Sequence, residues 1–247
     1  MKSQYVKPSF KKEHNPKVGL LALSTDFTIE KDFNSILSQL PIDVFVNRIH
    51  NENPLTKENL LKMKDQIKGI TEKILPGEIL NAVAYGCTSG TIAIGEDRVK
   101  EKIQLAKPNC YVTTPITSAI KAFKSMNVKK ISVFTPYPDS VNKTIYEYFS
   151  NKKIDILSFG TFNLDLDSDI ANIDPKYLSE TLKNLDTSGA DALFISCTAL
   201  PALEILNEVE KNINKPVFSS NQTLIWDTIR SVGYKSPVKG YGKLLRN

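Results

Sequence analysis

Residues 82–91 read Ala-Val-Ala-Tyr-Gly-Cys-Thr-Ser-Gly-Thr, and residues 192–201 read Ala-Leu-Phe-Ile-Ser-Cys-Thr-Ala-Leu-Pro. Each stretch is an apolar run typical of a strand, followed by Cys-Thr and a segment with helical spacing. Free backbone N–H groups and the positive end of a helix dipole converge where a buried strand turns into a helix. Such a position lowers the pKa of a thiol and binds carboxylates. The two copies therefore predict that Cys87 and Cys197 face each other across one small-anion site.

The rest of the chain repeats one plan around these two stretches. Apolar runs alternate with helical segments, which is the pattern of βαβ units and parallel sheets. The order of elements in residues 18–127 matches that in 128–232, which indicates an internal duplication. We therefore predict an α/β fold with two similar lobes, each a parallel sheet flanked by helices, and the site between them. The predicted parts are an N-terminal arm (1–16), a first lobe (17–127, optionally with 233–247) and a second lobe (128–232).

Composition restricts the classes of protein to which the chain can belong. Of its 247 residues, 41% are hydrophobic and 24% are charged, and no apolar run reaches the length of a membrane span. The N-terminus lacks the apolar segment of a signal peptide, so we expect a cytoplasmic protein without membrane contact. The net charge of +5 comes from scattered lysines and not from a basic stripe, which argues against nucleic-acid binding.

Several common kinds of site are not indicated by the sequence. It contains no glycine-rich phosphate loop, and its three cysteines lack the spacing of a zinc site or a disulfide framework. His14 and His50 lie away from the predicted strand ends, which disfavours a cysteine–histidine hydrolase. The acidic run at residues 165–169 lacks the rest of a calcium-binding pattern, so we interpret it as a solvated loop and helix start. No cofactor and no metal are required.

Polar side chains follow several predicted strands, where ligands bind in open α/β sheets. Hydroxyl groups beside the cysteines can cap helices and also donate hydrogen bonds to an anion. Cys110 precedes a strand and has no counterpart in the other half, so we interpret it as structural. The candidates at strand ends are Asp26, Cys87, Thr88, Ser89, Thr113, Thr114, Tyr137, Cys197, Thr198, Ser219, Ser220 and Asn221.

Two opposed thiols without a cofactor can support two reactions. One thiolate can remove a proton next to a carboxylate while the other thiol delivers a proton on the opposite face, which is racemisation. Alternatively, a thiolate adds to an activated double bond, the carbon–carbon bond rotates, and elimination gives the other geometric isomer. Both reactions need donors for an enolate-like charge, which Thr88, Ser89, Tyr137 and Thr198 can supply.

Cys-Thr-Ser-Gly-Thr at Cys87, Thr-Pro-Tyr at Tyr137 and Ser-Cys-Thr at Cys197, on a duplicated α/β plan, resemble the aspartate/glutamate racemase superfamily. Within it the chain is similar to the branch of maleate cis–trans isomerase, arylmalonate decarboxylase and the ectoine-utilisation protein EutA, over about residues 17–232. The resemblance implies a nucleophile or base at Cys87 and a proton donor at Cys197.

The same resemblance implies where a substrate binds and where this chain departs from its relatives. It implies that Thr88, Ser89 and Thr198 bind a carboxylate, that Tyr137 is a further donor, and that Asn163 contacts the substrate. Arylmalonate decarboxylase keeps only the second cysteine, so Cys87 disfavours decarboxylation. Maleate isomerases carry asparagine where this chain has Asp26, which would repel a dicarboxylate but could bind an ammonium group or orient a thiol. In this respect Ser-Thr-Asp-x-Thr is closer to EutA.

From these residues and this resemblance we expect a cofactor-independent isomerase of small carboxylic acids that resembles maleate isomerase. Racemisation of an amino acid or an ectoine-derived acid remains the alternative that Asp26 favours. A third hypothesis is a module that binds small carboxylates without turnover. A homodimer or homotetramer is usual for such a plan.

Overall fold

Two parallel β-sheets, one from each half of the chain, form the framework of the protein, for which a computed structural model describes residues 3–247. The first sheet has the strand order β2-β1-β3-β4, with β1 (Lys17–Leu23), β2 (Asp43–Ile49), β3 (Ala82–Gly86) and β4 (Tyr111–Thr113). The second has the order β6-β5-β7-β8, with β5 (Lys130–Thr135), β6 (Asp155–Thr161), β7 (Ala192–Ile195) and β8 (Val217–Ser219). The identical topology confirms the predicted α/β fold with two similar lobes.

The central strands are the apolar runs of the sequence, and they are buried on both faces. In β3 and β7 every residue is buried, as expected where helices cover both sides of a parallel sheet. In the first half the helices are α1 (Ile29–Leu37), α2 (Lys57–Lys62), α3 (Ile67–Glu72), α4 (Thr88–Ile94), α5 (Glu96–Ala106) and α6 (Pro115–Ser125). In the second half they are α7 (Asp139–Asn151), α8 (Asp167–Ala171), α9 (Pro175–Lys183), α10 (Leu206–Ile213) and α11 (Ser220–Ser231).

The last helix of each half packs against the sheet of the other half. Phe123 on α6 contacts the rings of Phe194 on β7 and Phe218 on β8, with centroids 5.6 and 5.2 Å apart. In return α11 packs on β3 and β4, and the hydroxyl groups of Thr113 and Thr228 are 2.8 Å apart. These contacts of α6 and α11 with the opposite sheets hold the two halves together and fix the ends of their central strands relative to each other.

Two predicted helices are interrupted in the structure. The segment predicted as one helix over residues 56–75 consists of α2, a 3-10 turn and α3. The helix predicted after Cys87 breaks at Gly95, whose φ of 95° lies in the left-handed region that favours glycine. Both breaks lie outside the sheets and leave the first cysteine turn intact.

The chain ends differ in how they pack. Residues 3–16 form no regular element and are mostly exposed. The C-terminal residues are ordered against both halves: the Tyr241 hydroxyl donates to the carbonyl of Ser35 at 3.1 Å, and Leu244 and Leu245 are buried. The predicted domain boundaries stay a prediction. Among residues 3–247, no helix is long and apolar enough to cross a membrane.

Candidate active site

Cys87 lies between β3 and α4, where the sequence places it. It is the N-cap of α4: its Sγ accepts a hydrogen bond from the backbone N–H of Gly90 at 3.2 Å, and the Ser89 hydroxyl is 3.8 Å from the sulfur. The backbone of α4 approaches so closely that a Cβ on Gly90 would lie 2.8 Å from the sulfur. The first thiol is therefore held by the first turn of a helix.

Cys197 follows β7, and the phenol of Tyr137 packs against it. Tyr137 is fixed between Pro136 and Pro138, and its carbonyl accepts a hydrogen bond from Asn142 Nδ2 at 2.7 Å. Burial raises the pKa of the Cys197 thiol, and a hydrogen bond that the Tyr137 hydroxyl donates to the sulfur partly offsets this. Both side chains are only 3% exposed, so the second thiol is enclosed with a rigid donor beside it.

The two cysteine turns touch. The Thr198 hydroxyl donates to the carbonyl of Gly86, the residue before Cys87, at 3.3 Å. Burial raises the pKa of the Tyr137 phenol, and the nearby sulfurs of Cys197 and Cys87 raise it further. The structure thus brings the two predicted thiols and the phenol together between the two halves.

The second turn differs from the prediction in one respect. No helix begins after Cys197: residues 196–202 are irregular, and a 3-10 turn (Leu203–Ile205) precedes α10. Pro201 explains the difference, because proline lacks a backbone N–H and disfavours helical geometry in the residue before it. The prediction that a helix begins at this turn was wrong. Cys87 caps a helix, whereas Cys197 lies in an irregular turn, where the backbone N–H of Ala199 donates to its sulfur.

Asp26 is completely buried near both thiols. Its Oδ1 accepts hydrogen bonds from the backbone N–H groups of Thr28 at 2.8 Å and Ile29 at 2.9 Å, as an N-cap side chain does. Its Oδ2 accepts no hydrogen bond of regular geometry from residues 3–247, although the Thr198 hydroxyl is close enough to lower the pKa of the carboxyl. Burial is the larger effect and raises the pKa of Asp26 above its ordinary value.

The same burial reverses the expected effect on the thiols. Burial raises the pKa of Cys87 to about 12, and the Gly90 N–H only partly offsets it. The charges of Asp167 and Asp26 raise the pKa of both thiols further. The prediction of a lowered thiol pKa was therefore wrong for the closed site, because removal from water outweighs the helix N-terminus.

This high pKa predicts how Cys87 reacts with iodoacetamide. Since only the thiolate is alkylated, we expect the rate to rise about tenfold per pH unit from about pH 7 to pH 10 without a plateau. Peptide mass spectrometry of the Cys110→Ser protein measures this rate. The urea-unfolded protein is the control and should level off near pH 9, as ordinary thiols do. A plateau below pH 9 in the folded protein would contradict the inferred burial.

Three residues that the sequence did not single out, Thr25, Asn51 and Asp167, form a hydrogen-bonded cluster whose Asp167 charge acts on both thiols. Asp167 Oδ2 accepts hydrogen bonds from the Thr25 hydroxyl at 2.5 Å and from Asn51 Nδ2 at 2.9 Å. These contacts join the loops that follow β1 and β2 to the first residue of α8. Residues 165–169 are a loop and a helix start, as interpreted, since α8 begins at Asp167, but the Asp167 side chain is buried and not solvated. Asn51 is the second residue after β2 and could have been found from the strand-end rule, whereas Asp167 carries no such signal.

The other predicted residues differ in their placement. Ser89 is buried beside Cys87, and the Thr88 hydroxyl pairs with that of Ser220 at 2.9 Å, which links α4 to α11. Asn163 is exposed in the loop after β6 with a φ of 57°. His50 is exposed as expected.

In the described part of the chain, no group of three or more histidine, cysteine or acidic side chains is arranged to hold a metal ion.

Comparison with known proteins gives a consistent result. A family model described as arylmalonate decarboxylase matches residues 95–245. A maleate isomerase of Geobacillus stearothermophilus is 24% identical over 93% of this chain and 96% of its own length. An arylmalonate decarboxylase of Bordetella bronchiseptica is 24% identical over 53% of this chain and 56% of its own length.

Solved structures share the fold. A cysteine-to-alanine variant of the maleate isomerase Iso of Pseudomonas putida S16, crystallised with maleate, superposes with a TM-score of 0.86 at 20% identity, covering 94% of this chain and 97% of that one. A cysteine-to-serine mutant of the maleate cis-trans isomerase of Nocardia farcinica, with a covalently bound succinylcysteine intermediate, gives 0.86 at 19% identity over 94% and 98% of the two chains. The chain therefore belongs to the arylmalonate decarboxylase and maleate isomerase family of the aspartate/glutamate racemase-like superfamily.

Proposed function

We propose that the protein is a cofactor-independent cis–trans isomerase of small unsaturated dicarboxylates of the maleate class. The observation that carries this proposal is the buried contact between the Cys87 and Cys197 turns, with a phenol and a carboxyl group beside them. Three relatives named maleate isomerase match 93% of the chain and a fourth matches 67%, whereas the arylmalonate decarboxylase relative matches 53%. The presence of both thiols favours addition and elimination over decarboxylation.

In the proposed reaction Cys87 is the nucleophile. Its thiolate forms a carbon–sulfur bond to one alkene carbon, and the alkene electron pair moves onto the neighbouring carbon and its carboxylate. Cys197 donates its proton to that carbon, which leaves a succinyl thioether with a freely rotating carbon–carbon bond. After rotation Cys197 takes the proton back, the carbon–sulfur bond breaks, and the trans isomer leaves.

Asp26 is suited to hold the proton that Cys87 must lose. Its charge acts on both thiols, its Oδ2 lacks a regular hydrogen bond within residues 3–247, and its pKa is raised by burial. We propose that the thiol proton moves to Oδ2 and that the resulting O–H group donates to a carboxylate oxygen of the substrate. This removes the repulsion that an ionised Asp26 would exert on a dicarboxylate.

The remaining carboxylate contacts are assigned to the two turns. The N-terminal turn of α4 presents Thr88 and Ser89, and Thr198 and Tyr137 contribute hydroxyl groups from the second half. We propose that these groups bind the carboxylates and hold the charge that develops during addition. Asn163 is exposed in this structure, so its proposed contact with the substrate requires its loop to move over the site.

The proposed function has a direct test. On incubation with maleate, we expect the purified protein to produce fumarate, because both thiols required for addition and proton transfer are present. Proton NMR resolves the two isomers, and the Cys87→Ser protein is the matched control. Failure of the intact protein to isomerise maleate or any substituted maleate would contradict the proposal.

Racemisation is the second candidate, and the Asp26 carboxylate favours it. An ionised Asp26 would bind an ammonium group, and its Ser-Thr-Asp context resembles the EutA branch. Incubation with L-amino acids or ectoine-derived acids in deuterated water distinguishes the two reactions. Solvent deuterium at the α-carbon without conversion of maleate would favour racemisation. Protection of Cys87 from alkylation by such ligands, with neither reaction, would identify a binding module.

We also propose a cytoplasmic homodimer or homotetramer. In the N-terminal arm the side chains of Tyr5, Val6 and Phe10 are 95%, 79% and 83% exposed. Together they form an apolar surface that a second subunit would cover. Sedimentation velocity of the protein with and without residues 1–16 measures the number of subunits.

A further inference from the structure

The second cysteine turn is held by a buried chain of two hydrogen bonds that comes from the first half. Asn221 lies in the first turn of α11 and is 1% exposed. Its Nδ2 donates one hydrogen to the backbone carbonyl of Thr198 at 2.8 Å and the other to Asp32 Oδ2 on α1 at 2.7 Å. Both donor hydrogens of the amide are thus used.

Asp32 determines which way the Asn221 amide points. If no acceptor faced the second hydrogen, the amide could rotate and place its own oxygen against the Thr198 carbonyl, which would be repulsive. The buried Asp32 carboxylate prevents this rotation, because a carboxylate can accept a hydrogen bond from the NH₂ group of the amide but cannot donate one to the amide oxygen. The Thr198 carbonyl belongs to the turn that carries Cys197, and the Thr198 hydroxyl of the same turn donates to Gly86. The position of the Thr198 carbonyl therefore affects the spacing of both thiols.

We infer that Asp32 is a positioning residue: through Asn221 it holds the Thr198 carbonyl, and with it Cys197, in the arrangement that isomerisation requires. The catalytic part of this inference rests on the proposed function. Within residues 3–247 Asp32 forms no hydrogen bond to either sulfur, and the Asn221 amide is its link to the Cys197 turn.

The surroundings of Asp32 make this link sensitive to pH. The pKa of Asp32 is raised to about 7, mainly by burial. The charges of Asp26 and Glu204 also raise this pKa, whereas the hydrogen bond from Asn221 and the charge of Lys31 lower it. Asp32 also lines a cavity of about 230 Å³ together with Lys31, Glu204 and Tyr241. The ionised form accepts the stronger, charge-assisted hydrogen bond. Since a carboxyl group ionises as pH rises, kcat should increase as pH rises through about 7.

The test compares kcat for maleate isomerisation between about pH 5 and pH 9 in four proteins. In the Asp32→Asn protein the amide oxygen still accepts from Asn221 but does not titrate, so we expect the ionisation near pH 7 to disappear, with KM changed less than about twofold. Asp32→Ala should lower kcat about tenfold or more. The matched control is Glu204→Gln, which lines the same cavity without touching Asn221 and should keep kcat while moving the ionisation to lower pH.

A double-mutant cycle separates positioning from a general loss of stability. If Asp32 acts through Asn221, the Asp32→Ala and Asn221→Ala effects on kcat are not additive, and the double variant is no slower than the slower single variant. Additive effects, or a wild-type ionisation that persists in Asp32→Asn, would overturn the inference. The isosteric Asp32→Asn profile decides the matter should the alanine proteins fail to fold.

A separate measurement keeps this inference distinct from the proposed function. Should the intact protein not isomerise maleate, the proposed function fails, but the link to the Cys197 turn remains testable by alkylation. In a Cys87→Ser, Cys110→Ser background we expect Asp32→Ala and Asn221→Ala each to accelerate iodoacetamide labelling of Cys197 several-fold, because the turn loosens. Unchanged labelling in both proteins would show that Asp32 does not hold the turn.

Discussion

Serine in place of Cys87 is expected to lower kcat/KM for maleate isomerisation by roughly 10³-fold or more while the fold stays intact. The hydroxyl is a much weaker nucleophile than a thiolate at neutral pH, and the N–H of Gly90 that faces the sulfur cannot compensate for this. The smaller oxygen fits the same N-cap position, so far-UV circular dichroism and the melting temperature should change little. Steady-state kinetics followed by NMR measure the loss.

The Cys197→Ser protein is expected to lose turnover to a similar extent but to differ in what accumulates. Cys87 can still add to maleate, and water then supplies the proton that the neighbouring carbon would receive from Cys197. The removal of that proton before elimination lacks its thiolate base, so the adduct persists. We therefore expect intact-protein mass spectrometry to find an adduct heavier by one maleic acid on Cys87. The Cys87→Ser protein should carry no such adduct, which assigns the two thiols to different steps.

Cys110→Ser is the matched control for both substitutions. Cys110 is also buried and its pKa is also raised, to about 11, but it lies before β4 and away from the two turns. Its replacement should leave kcat/KM within about twofold. Full activity in Cys87→Ser or Cys197→Ser would contradict the two-thiol mechanism. A large loss in Cys110→Ser would show that loss of activity on replacing a buried thiol does not by itself identify a catalytic one.

The fold could be predicted because its central strands are marked by composition alone. Runs such as residues 20–23 in β1 and the residues before each cysteine are buried on both faces, and continuous apolar runs of that length predict parallel strands. Polar residues directly after a strand were equally informative, since Asp26, Tyr137 and the two thiols all lie at strand ends. Which sheet a helix covers is not encoded locally. The packing of α6 and α11 on the opposite sheets depends on contacts such as Phe123 with Phe194.

The site was harder to predict than the fold for electrostatic reasons. A thiol at a helix N-terminus is expected to have a low pKa, but complete enclosure of Cys87 reverses the sign, and enclosure is a property of the folded protein. Asp167 illustrates the same difficulty. In the sequence it is one acid among several, and only the folded chain shows that Thr25 and Asn51 enclose it while its neighbour Asp169 stays exposed.

Gly90→Ala is expected to reduce both stability and activity, although alanine usually favours a helix over glycine by about 1 kcal/mol. An added Cβ would lie 2.8 Å from the Cys87 Sγ, 2.8 Å from the Met63 Cε and 2.9 Å from the Tyr85 hydroxyl, closer than real Cβ atoms approach their neighbours. Met63 can move its flexible end, but the sulfur is held by the Gly90 N–H itself. The clash therefore displaces the nucleophile.

We expect this displacement to lower kcat/KM roughly 100-fold, since small errors in the position of a reacting group are costly, and to destabilise the fold by about 1–3 kcal/mol. Gly69→Ala in α3 is the matched control. Apart from its chain neighbours and the backbone of its own helix, no described atom lies within 4 Å of the added Cβ, so this variant should keep activity and gain slightly in stability. Urea unfolding and maleate kinetics on both variants measure the two effects separately. A Gly90→Ala protein as active as Gly69→Ala would mean that the sulfur need not stay on the first turn of α4, and the assignment of Cys87 as the nucleophile would then lose its geometric basis.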